Sequence, residues 1–167
     1  NGTLNRIPQG ANALGLARHG VLPASRDALA MLADPRAAYV LYGIEPGLDF
    51  ADQALAMKAL GSAQVVAFSH YACQSPRRVA DVILPIAALP ENDATLTRLG
   101  GFDQRAVAGS KAPGDARQGW EYLRALGGEP AWAGFDSTDR AGLRAGVVAR
   151  DVAVAGEIGR ASCRARV

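Results

Sequence analysis

One short stretch of the sequence carries the residue types that covalent chemistry most often needs. His70, Tyr71 and Cys73 follow a run of apolar residues, and a histidine close to a cysteine could act as a base and nucleophile pair. The spacing supplies no acid to orient the histidine, and a single cysteine is commonly a small buried apolar residue. We therefore favour the alternative, in which Cys73 packs in the interior without a catalytic role.

Two further stretches could bind a ligand. GANALG, from Gly10 to Gly15, has the glycines and the Asn12 of a phosphate-binding turn, but it lacks the G-x-G-x-x-G spacing that brings backbone close to a pyrophosphate. A tight turn is the alternative that we favour there. Glu45, which precedes Pro46, follows a predicted strand and could accept a hydrogen bond from a ribose or a pterin. A solvated turn residue is the alternative that we favour for Glu45.

The remaining polar and aromatic candidates have structural interpretations. His19 ends a short predicted helix, so we expect it at the surface or as a C-terminal cap. Arg77 and Arg78 could pair with acids of a partner subunit, or they could form a solvated helix face. Trp120 and Trp132 are both expected in the core.

Length, composition and charge limit the class of protein. The 167 residues are 49% hydrophobic, which is sufficient for one globular domain with a core. A net charge of +2 is too small to favour nucleic acid or an anionic membrane surface as a partner. No apolar run approaches the roughly 20 residues of a membrane span, and no signal peptide is visible. Because the first residue is not methionine, we expect a fragment.

The cysteines argue against a metal centre within the chain. Cys73 and Cys163 lie far apart, and no CxxC or Cys/His cluster accompanies them. We therefore expect neither an iron–sulfur nor a zinc site. A reducing, cytosolic compartment is the default for such a sequence.

Hydrophobic patterning predicts the elements that position these residues. Short runs rich in β-formers predict parallel strands at Ala37–Gly43, Ala63–Ser69 and Asp81–Pro85. Helices are predicted at Asp27–Ala33, Asp49–Leu60, Ser75–Ala80, Arg117–Leu126 and Ser137–Ala145. The alternation of strand and helix with short joins is typical of βαβ units. The predicted fold class is therefore α/β, with a parallel sheet built from βαβ units.

The patterning also predicts which side chains are buried and where loops lie. In the second helix, Asp49 is the expected N-cap. In the helix predicted at Asp49–Leu60, the side chains expected to face inward are Phe50, Ala54, Leu55, Met57 and Leu60. In the helix predicted at Arg117–Leu126, they are Trp120, Leu123 and Leu126. Between Pro85 and about Gly114 we expect loops and turns to dominate.

The stretch from Ala80 to Gln104, ADVILPIAALPENDATLTRLGGFDQ, leads from the third strand into a long polar loop. It resembles the molybdopterin oxidoreductase superfamily, in which an ADVVLP strand precedes a pterin-side loop of the form E-x-x-G-T-x-x-N-x-E-G-R-x-Q. The blocks that carry the resemblance are Pro8–Pro23, Ala38–Leu60 and Ala63–Gly127. The phrase from Ala116 to Gly127 is similar to the G-subunit family of bacterial NADH-quinone oxidoreductase, respiratory complex I.

This resemblance implies a mostly parallel Rossmann-like sheet with helices on both faces, in an incomplete α/β domain. It also implies a part of a peripheral-arm subunit that supports electron transfer from NADH to quinone. It implies iron–sulfur clusters in the parent subunit, with their cysteines upstream, and neither cofactor nor catalytic residue in this region. The implied partners are the rest of the same subunit and other peripheral-arm subunits of complex I. The implied location is the cytoplasmic side of the bacterial inner membrane, without membrane insertion or nucleic acid. The alternatives are a catalytic molybdopterin oxidoreductase, such as a formate dehydrogenase-like chain, and a free-standing nucleotide-binding module.

The pterin-side loop keeps only part of the family's pattern. Glu91, Thr95 and Gln104 match the acid, the threonine and the glutamine. The glycine, the asparagine, the second acid and the arginine are replaced by Ala94, Arg98, Gly100 and Phe102. Losing the arginine removes a forked donor that is suited to phosphate. We therefore expect a vestigial pterin site.

Three parts are predicted along the chain. Residues 1–128 form an N-terminally truncated molybdopterin oxidoreductase-like α/β domain, and residues 129–156 form a weakly structured C-terminal segment. Residues 157–167, EIGRASCRARV, resemble the peptide produced when a sequencing adapter is translated in frame. We expect this tail to be non-biological, and a basic C-terminal tail is the alternative.

Overall fold

The computed structural model describes residues 10–23, 25–128, 132–133 and 135–146. The chain divides into two compact units. The sheet unit comprises Pro23–Asn92 and Ala108–Leu126, and the hairpin unit comprises Asn1–Leu22, Asp93–Val107 and Gly127–Val167.

Helices and strands alternate through most of the described chain. The helices are α1 (Ala13–Arg18), α2 (Ala28–Ala33), α3 (Gln53–Gly61), α4 (Gln74–Val79) and α5 (Gly119–Gly128). The strands are β1 (Ala38–Tyr42), β2 (Gln64–Ser69), β3 (Val82–Pro85), β4 (Ala94–Thr97) and β5 (Asp103–Ala106). A 3₁₀ turn covers Leu89–Glu91, and residues 140–146 are helical.

The sheet unit contains a three-stranded sheet in the order β1-β2-β3, and both pairs of strands are parallel. Helix α3 connects β1 to β2, and α4 connects β2 to β3, so the two crossovers are βαβ units. The predicted α/β class with a parallel sheet is confirmed. Each predicted strand and the helices α2 and α4 lie within one or two residues of the predicted bounds.

One face of the sheet carries the core. The strand residues Leu41, Val65 and Ala67 are buried there against the buried α3 residues Ala59 and Leu60. A parallel sheet needs such a cover because its strands lack the alternating polar positions of a solvated sheet. The burial of these apolar side chains is the main stabilising contribution within this unit.

The opposite face of the sheet is partly open. Val40 pairs with Val66, and Val66 pairs with Val82, so one row of valines crosses all three strands. Val40 is 58% exposed and Val82 is 47% exposed. At the carboxyl end of the strands this face is better covered, because Phe68 packs against the ring of Tyr122 from α5 at 5.8 Å between centroids.

Asp81, near the start of the ADVILP segment, forms two hydrogen bonds with the backbone of β2. Its Oδ2 accepts a hydrogen bond from the backbone N–H of Val65 at 2.7 Å, and its own N–H donates to the Val65 carbonyl at 2.9 Å. The carboxylate therefore continues the β2–β3 ladder by one step. At the other end of β3, Ile86 forms a parallel bridge with Arg117, which adds a short third pairing beside β1–β2 and β2–β3.

The predicted start of the second helix was wrong. Helix α3 begins at Gln53, because Asp52 is its N-cap and accepts from Leu55 N–H at 2.8 Å. Asp49 instead accepts from the Glu45 N–H and closes the preceding turn. Ala54 is exposed, so its predicted inward position was wrong, and the buried residues of α3 are Ala56, Ala59 and Leu60.

The predictions near residue 120 also need correction. Helix α5 begins at Gly119 because the backbone of Arg117 is bonded to the sheet. Leu123 and Leu126 are exposed, and Trp120 is half-buried with its Nε1–H donating to Gln118 at 2.9 Å. Trp132 is 62% exposed, so its predicted place in the core was wrong.

The hairpin unit contains a pair of strands in a stretch where no strand was predicted and loops and turns were expected to dominate. Strands β4 and β5 pair antiparallel, with Ala94 opposite Ala106 and Thr97 opposite Asp103. The segment has little hydrophobic alternation, since β5 is exposed at all four positions, and this is why apolar patterning missed it.

Several predictions fall partly or wholly outside the described residues. The segment 129–156 is described only in part and the tail 157–167 not at all, so both stay predictions. The predicted helix at Ser137–Ala145 corresponds to the helical residues 140–146, and Asp139 accepts from the Gly142 N–H at its start. In the part of the chain that can be described, no helix combines the length and the apolarity needed to cross a bilayer.

Candidate functional site

A first cavity, the strand-end cavity, lies in the sheet unit beyond the carboxyl ends of β1 and β2. Its volume is about 380 Å³. This is the edge at which open α/β sheets usually bind ligands. The residues that line it are Glu45, Gly47, Leu48, Gln53, Met57, Cys73, Gln74, Ser75 and Arg78.

The turn after β1 positions Glu45 in this cavity. Gly43 has a φ of +63° and its N–H donates to the Phe68 carbonyl, so the chain leaves the sheet immediately after its last ladder bond. Asp49 then holds the turn by accepting from the Glu45 N–H at 2.6 Å. Pro46 is fully buried, which anchors the turn from inside.

The structure pairs Cys73 with Glu45. The Cys73 Sγ donates to the Glu45 Oε2 at 3.0 Å, and Ser75 Oγ lies 4.0 Å from the same sulfur. His70 is exposed and its ring packs against Tyr71, with 6.3 Å between centroids. No hydrogen bond joins His70 to Cys73 among the described residues. The histidine–cysteine pair that the sequence raised is therefore not assembled as a unit.

Arg77 and Arg78 lie next to this cavity on α4, and both are exposed as predicted. Arg78 lines the cavity, whereas the Nε–H of Arg77 donates to the Ala72 carbonyl at 2.6 Å. The strand-end cavity thus offers one carboxylate, one guanidinium and several amide and hydroxyl groups.

A second cavity, the hairpin cavity, lies in the hairpin unit against one face of β4 and β5. Its volume is about 310 Å³. It is lined by Asn12, Gly15, His19, Asp93, Thr95, Thr97, Asp103, Arg140, Leu143 and Arg144. It therefore contains residues of the GANALG turn and Thr95 of the pterin-side loop pattern.

The polar groups of the hairpin cavity are largely bonded to one another. Asn12 Oδ1 accepts from the Thr97 N–H at 2.8 Å, and Thr97 Oγ1 donates to Asp103 Oδ1 at 2.7 Å. Arg18 lies 3.8 Å from the same carboxylate oxygen of Asp103. Arg140 forms an ion pair with Asp93. These contacts join segments that lie far apart in the sequence.

The GANALG motif acts here as a docking turn for the hairpin. Asn12 is the residue before α1 and has a left-handed φ of +61°. This backbone conformation directs its carboxamide to the Thr97 N–H, 85 positions away. Gly15 faces the same contact, and a Cβ there would lie 2.8 Å from Thr97 Oγ1. Only glycine at that position leaves room for the contact.

Two buried polar atoms are left without partners in this unit. Neither His19 Nδ1 nor Arg140 Nε has a hydrogen-bond partner among the described residues. His19 is the C-cap of α1, and its backbone N–H donates to the Gly15 carbonyl at 3.1 Å. Its position as a cap was predicted, but its lining of a cavity was not.

The loop that follows β3 uses its polar side chains locally. Glu91 Oε2 accepts from the Ala88 N–H at 2.8 Å. Asn92 Nδ2 donates to the carbonyls of Ala87 and Ala88 at 2.9 and 3.0 Å. The acid that matches the family pattern therefore stabilises its own 3₁₀ turn.

The structure separates the three loop residues that match the pterin-side pattern. Glu91 belongs to the sheet unit, whereas Thr95 and Gln104 belong to the hairpin unit. Gln104 is opposite Leu96 in the ladder, so strand alternation places it on the face away from Thr95 and Thr97. Thr95 lines the hairpin cavity, and Gln104 is exposed.

Sequence reasoning did not find Arg18, Asp103 or Arg140 as members of a cavity. Charged residues of this kind are indistinguishable from ordinary surface charges until the chain is folded. The one available signal was Gly100-Gly101 between short polar runs, which is a hairpin pattern. Among the described residues, no group of three or more His, Cys, Asp or Glu side chains is placed to hold a metal ion.

Comparison with protein families matches most of the chain to a family model. The sequence model of a family described as molybdopterin oxidoreductase matches residues 1–129. The search of curated proteins returned no match for this chain.

Proposed function

The chain belongs to the molybdopterin oxidoreductase family, since the matching model covers residues 1–129 of 167, and we propose that it is a structural part of the G subunit of a bacterial NADH-quinone oxidoreductase. In this proposal the region keeps the family's α/β fold without holding a pterin cofactor. It would support electron transfer from NADH to quinone by holding the architecture of the peripheral arm.

The observation that carries the proposal is the use of the loop's polar groups. A pterin-binding loop must present free donors and acceptors to its cofactor. Here Glu91, the acid of the family pattern, accepts from Ala88. Thr97, which lies in the same stretch at a position the pattern leaves open, is bonded to both Asn12 and Asp103. A ligand would have to break these internal bonds before it could form its own, and each broken bond that leaves a buried group unpaired costs about 1–3 kcal/mol.

The substituted positions also fit poorly to a cofactor. Where the family pattern has an arginine, Phe102 is largely exposed at the hairpin tip and offers no hydrogen-bond donor. Where it has the second acid, Gly100 offers no side chain at all. The donor set that would hold a pterin pyrophosphate is therefore incomplete in this chain, and we derive no reaction step through such a group.

The similarity of the stretch from Ala116 to Gly127 to the G-subunit family favours a complex I parent over a catalytic enzyme. In this proposal the iron–sulfur clusters are bound by cysteines elsewhere in the parent protein. Cys73, whose thiol donates to Glu45, has no second cysteine beside it among the described residues and so offers no cluster site.

The open face of the sheet supports a role inside a larger assembly. Parallel sheets are almost always covered on both faces. The valine row of Val40, Val66 and Val82 is partly exposed on the face opposite the α3 core. We propose that the rest of the same subunit covers this row, within a peripheral arm on the cytoplasmic side of the membrane.

Metal and pterin analysis of the full-length parent protein, purified intact, tests this function. We expect iron in stoichiometric amount, with neither molybdenum, tungsten nor extractable pterin. A formate dehydrogenase carried through the same purification is the matched control, because it must yield metal and pterin. Stoichiometric molybdenum or tungsten in the parent would overturn the proposal in favour of a catalytic molybdopterin oxidoreductase.

A further inference from the structure

The β4–β5 hairpin ends in a well-formed tip, which comprises Arg98, Leu99, Gly100, Gly101 and Phe102. The Arg98 N–H donates to the Phe102 carbonyl at 2.9 Å, and the Gly101 N–H donates to the Arg98 carbonyl at 2.8 Å. Gly101 has a left-handed φ of +84°. A three-residue loop that ends in a left-handed glycine is a common tight hairpin connection, so the tip has a defined conformation.

The tip presents apolar side chains to solvent. Leu99 is 64% exposed and Phe102 is 75% exposed. Turns normally carry small or polar residues at such positions. A large apolar side chain on a preorganised turn loses little conformational freedom on binding, so nearly all of its burial energy is available to a partner. Isolated apolar residues are common at surfaces, but two of them together on a fixed turn form a compact contact.

The surroundings of the tip are basic. Arg98 is part of the tip and Arg105 lies on β5, and both are exposed without an ion pair in the described part of the chain. Arg18 lies beside Gly101, where a Cβ would be 2.8 Å from its guanidinium nitrogen. Asp103, the acid that follows the tip, already accepts a hydrogen bond from Thr97. The guanidinium groups of the tip region therefore outnumber the carboxylate that lies beside them.

We propose that the hairpin tip is a docking element that inserts Leu99 and Phe102 into an apolar pocket on a partner protein, and that the rim of this pocket carries carboxylates. Apolar anchors at the centre with charged groups at the rim are the usual arrangement of an energetic hot spot. Guanidinium groups suit this role because they pair with carboxylates through two parallel hydrogen bonds.

The observations favour a protein partner over an anionic membrane. Two apolar side chains give only a small buried area, which suits a shaped pocket more than a lipid surface. The net charge of the whole chain is +2, which supplies little general attraction to anionic lipid. The exposed Leu99 and Phe102, and an Arg98 without an ion pair among the described residues, favour this partner independently of which parent protein contains the hairpin.

Site-specific photo-crosslinking tests the contact directly. A photoreactive phenylalanine analogue is placed at position 102 of the full-length parent in its native cells, and crosslinked peptides are identified by mass spectrometry. Val107 is the matched control position, because it is also highly exposed and lies about 16 Å from the tip in the direction of β5. We expect a single protein partner at position 102, joined at a peptide with both apolar and acidic residues, and no such product at position 107.

Affinity measurements with that purified partner then separate the contribution of the apolar side chain Phe102 from that of the charged side chain Arg98. Phe102→Ser is expected to weaken binding roughly 10- to 100-fold, as truncation of a buried aromatic anchor does. Arg98→Glu is expected to weaken it roughly 10-fold and to reduce its dependence on salt. Val107→Ser should leave the affinity unchanged. Circular dichroism of each variant verifies that the fold is retained.

Other outcomes would overturn the proposal. Equal crosslinking at positions 102 and 107 would mean that the contact is not specific to the tip, and no crosslinking at either would mean that the tip contacts no partner. Crosslinks confined to the parent's own chain would mean that the rest of the same subunit covers the tip. Crosslinks to lipid, with sedimentation on phosphatidylglycerol vesicles that Phe102→Ser abolishes, would assign the tip to a membrane. Crosslinks to a second copy of the parent, with a concentration-dependent dimer in ultracentrifugation, would assign it to self-association.

Discussion

The sheet unit and the hairpin unit are built in different ways. In the sheet unit, neighbours in the sequence are neighbours in space, since β1, α3 and β2 follow one another and pack together through apolar side chains. The hairpin unit joins segments that lie far apart, and polar contacts such as that between Asn12 and Thr97 connect them. Apolar periodicity describes the first unit, whereas individual hydrogen bonds decide the second.

The two cavities differ in a parallel way. In the strand-end cavity the Cys73 thiol and the Glu45 carboxylate form one pair, and the Arg78 side chain lines the same space. In the hairpin cavity most polar groups are paired with one another, as Thr97 with Asp103 shows. A concentration of polar residues in a cavity is therefore insufficient evidence for a ligand, because the residues can satisfy each other.

The largest expected effect concerns the apolar core of the sheet unit. Leu60 is fully buried in the α3 core, so Leu60→Ala should lower the free energy of unfolding by about 2–5 kcal/mol through lost contacts and a cavity. Urea denaturation followed by circular dichroism measures it. Leu29→Ala is the matched control, because Leu29 is an exposed helical leucine, and it should change stability by less than about 0.5 kcal/mol. Equal effects at both positions would contradict the described core.

A smaller effect is expected where one polar contact joins the hairpin unit. Asn12→Ala removes the acceptor of the Thr97 N–H. It also puts alanine in a left-handed backbone conformation that non-glycine residues other than asparagine and aspartate rarely adopt. The opening free energy of the Thr97 amide should fall by about 1–3 kcal/mol in hydrogen exchange, while amides of β2 stay protected.

Asn12→Gly separates the two contributions. Glycine accepts the left-handed φ without strain but still lacks the carboxamide oxygen. We expect it to recover part of the loss caused by alanine, by roughly 1 kcal/mol. Full recovery would mean that the hydrogen bond to Thr97 contributes nothing, which would contradict the docking role of this turn.

A third comparison lies within the pterin-side loop pattern itself. Glu91 bonds to the Ala88 N–H, whereas Gln104 is exposed. Glu91→Ala should therefore destabilise the protein by about 1 kcal/mol, and Gln104→Ala should have almost no effect. Glu91→Gln keeps an oxygen acceptor and should lie between the two. Thermal denaturation of the three variants measures this, and equal losses at both positions would contradict a local role for Glu91.

The smallest expected effect is a dependence on pH at Tyr42. Burial raises the pKa of the Tyr42 hydroxyl above its usual value of 10.0. Above pH 10 the unfolded chain loses this proton more readily than the folded chain, so the folded state is destabilised as the pH rises further. Below pH 10 the hydroxyl is protonated in both states and contributes no slope.

Tyr42→Phe should remove part of this alkaline loss of stability, as measured by urea denaturation between pH 8 and pH 11. Tyr71→Phe is the matched control, because Tyr71 is largely exposed. An unchanged alkaline slope in the Tyr42 variant, or an equal reduction in the Tyr71 variant, would contradict the effect of burial.

Much of the sheet unit could be predicted from the sequence because its signals are local. The apolar runs at residues 37–43 and 63–69 are confirmed as β1 and β2, and the helix predicted at Asp27–Ala33 is confirmed as α2, which Asp27 caps. The start of α3 was misplaced because Asp49 and Asp52 are both good caps, and only the packed turn decides between them. Trp132 was misplaced because aromatic character alone does not determine burial.

The candidate sites were less predictable. The sequence placed Cys73 and Glu45 after strands and Arg78 on a short helix. No local pattern indicates that the Cys73 thiol contacts the Glu45 carboxylate, 28 positions away. Membership of the molybdopterin oxidoreductase family, expected from motifs, is supported by the match over residues 1–129. Assignment to the G subunit of complex I stays a prediction, and so do the absence of a cofactor, the partners and the location.

By itself, the sequence determined the α/β class, the family and the erosion of the pterin-side loop pattern, because these depend on residue types at fixed spacings. The tertiary structure alone decided what that loop became. It showed Glu91 bound to its own turn, Thr97 bound to Asn12 and Asp103, and Phe102 exposed at a hairpin tip. The physical reason is that a hydrogen bond between distant residues depends on how the chain brings two atoms within about 3 Å, and no local pattern of residues encodes that distance.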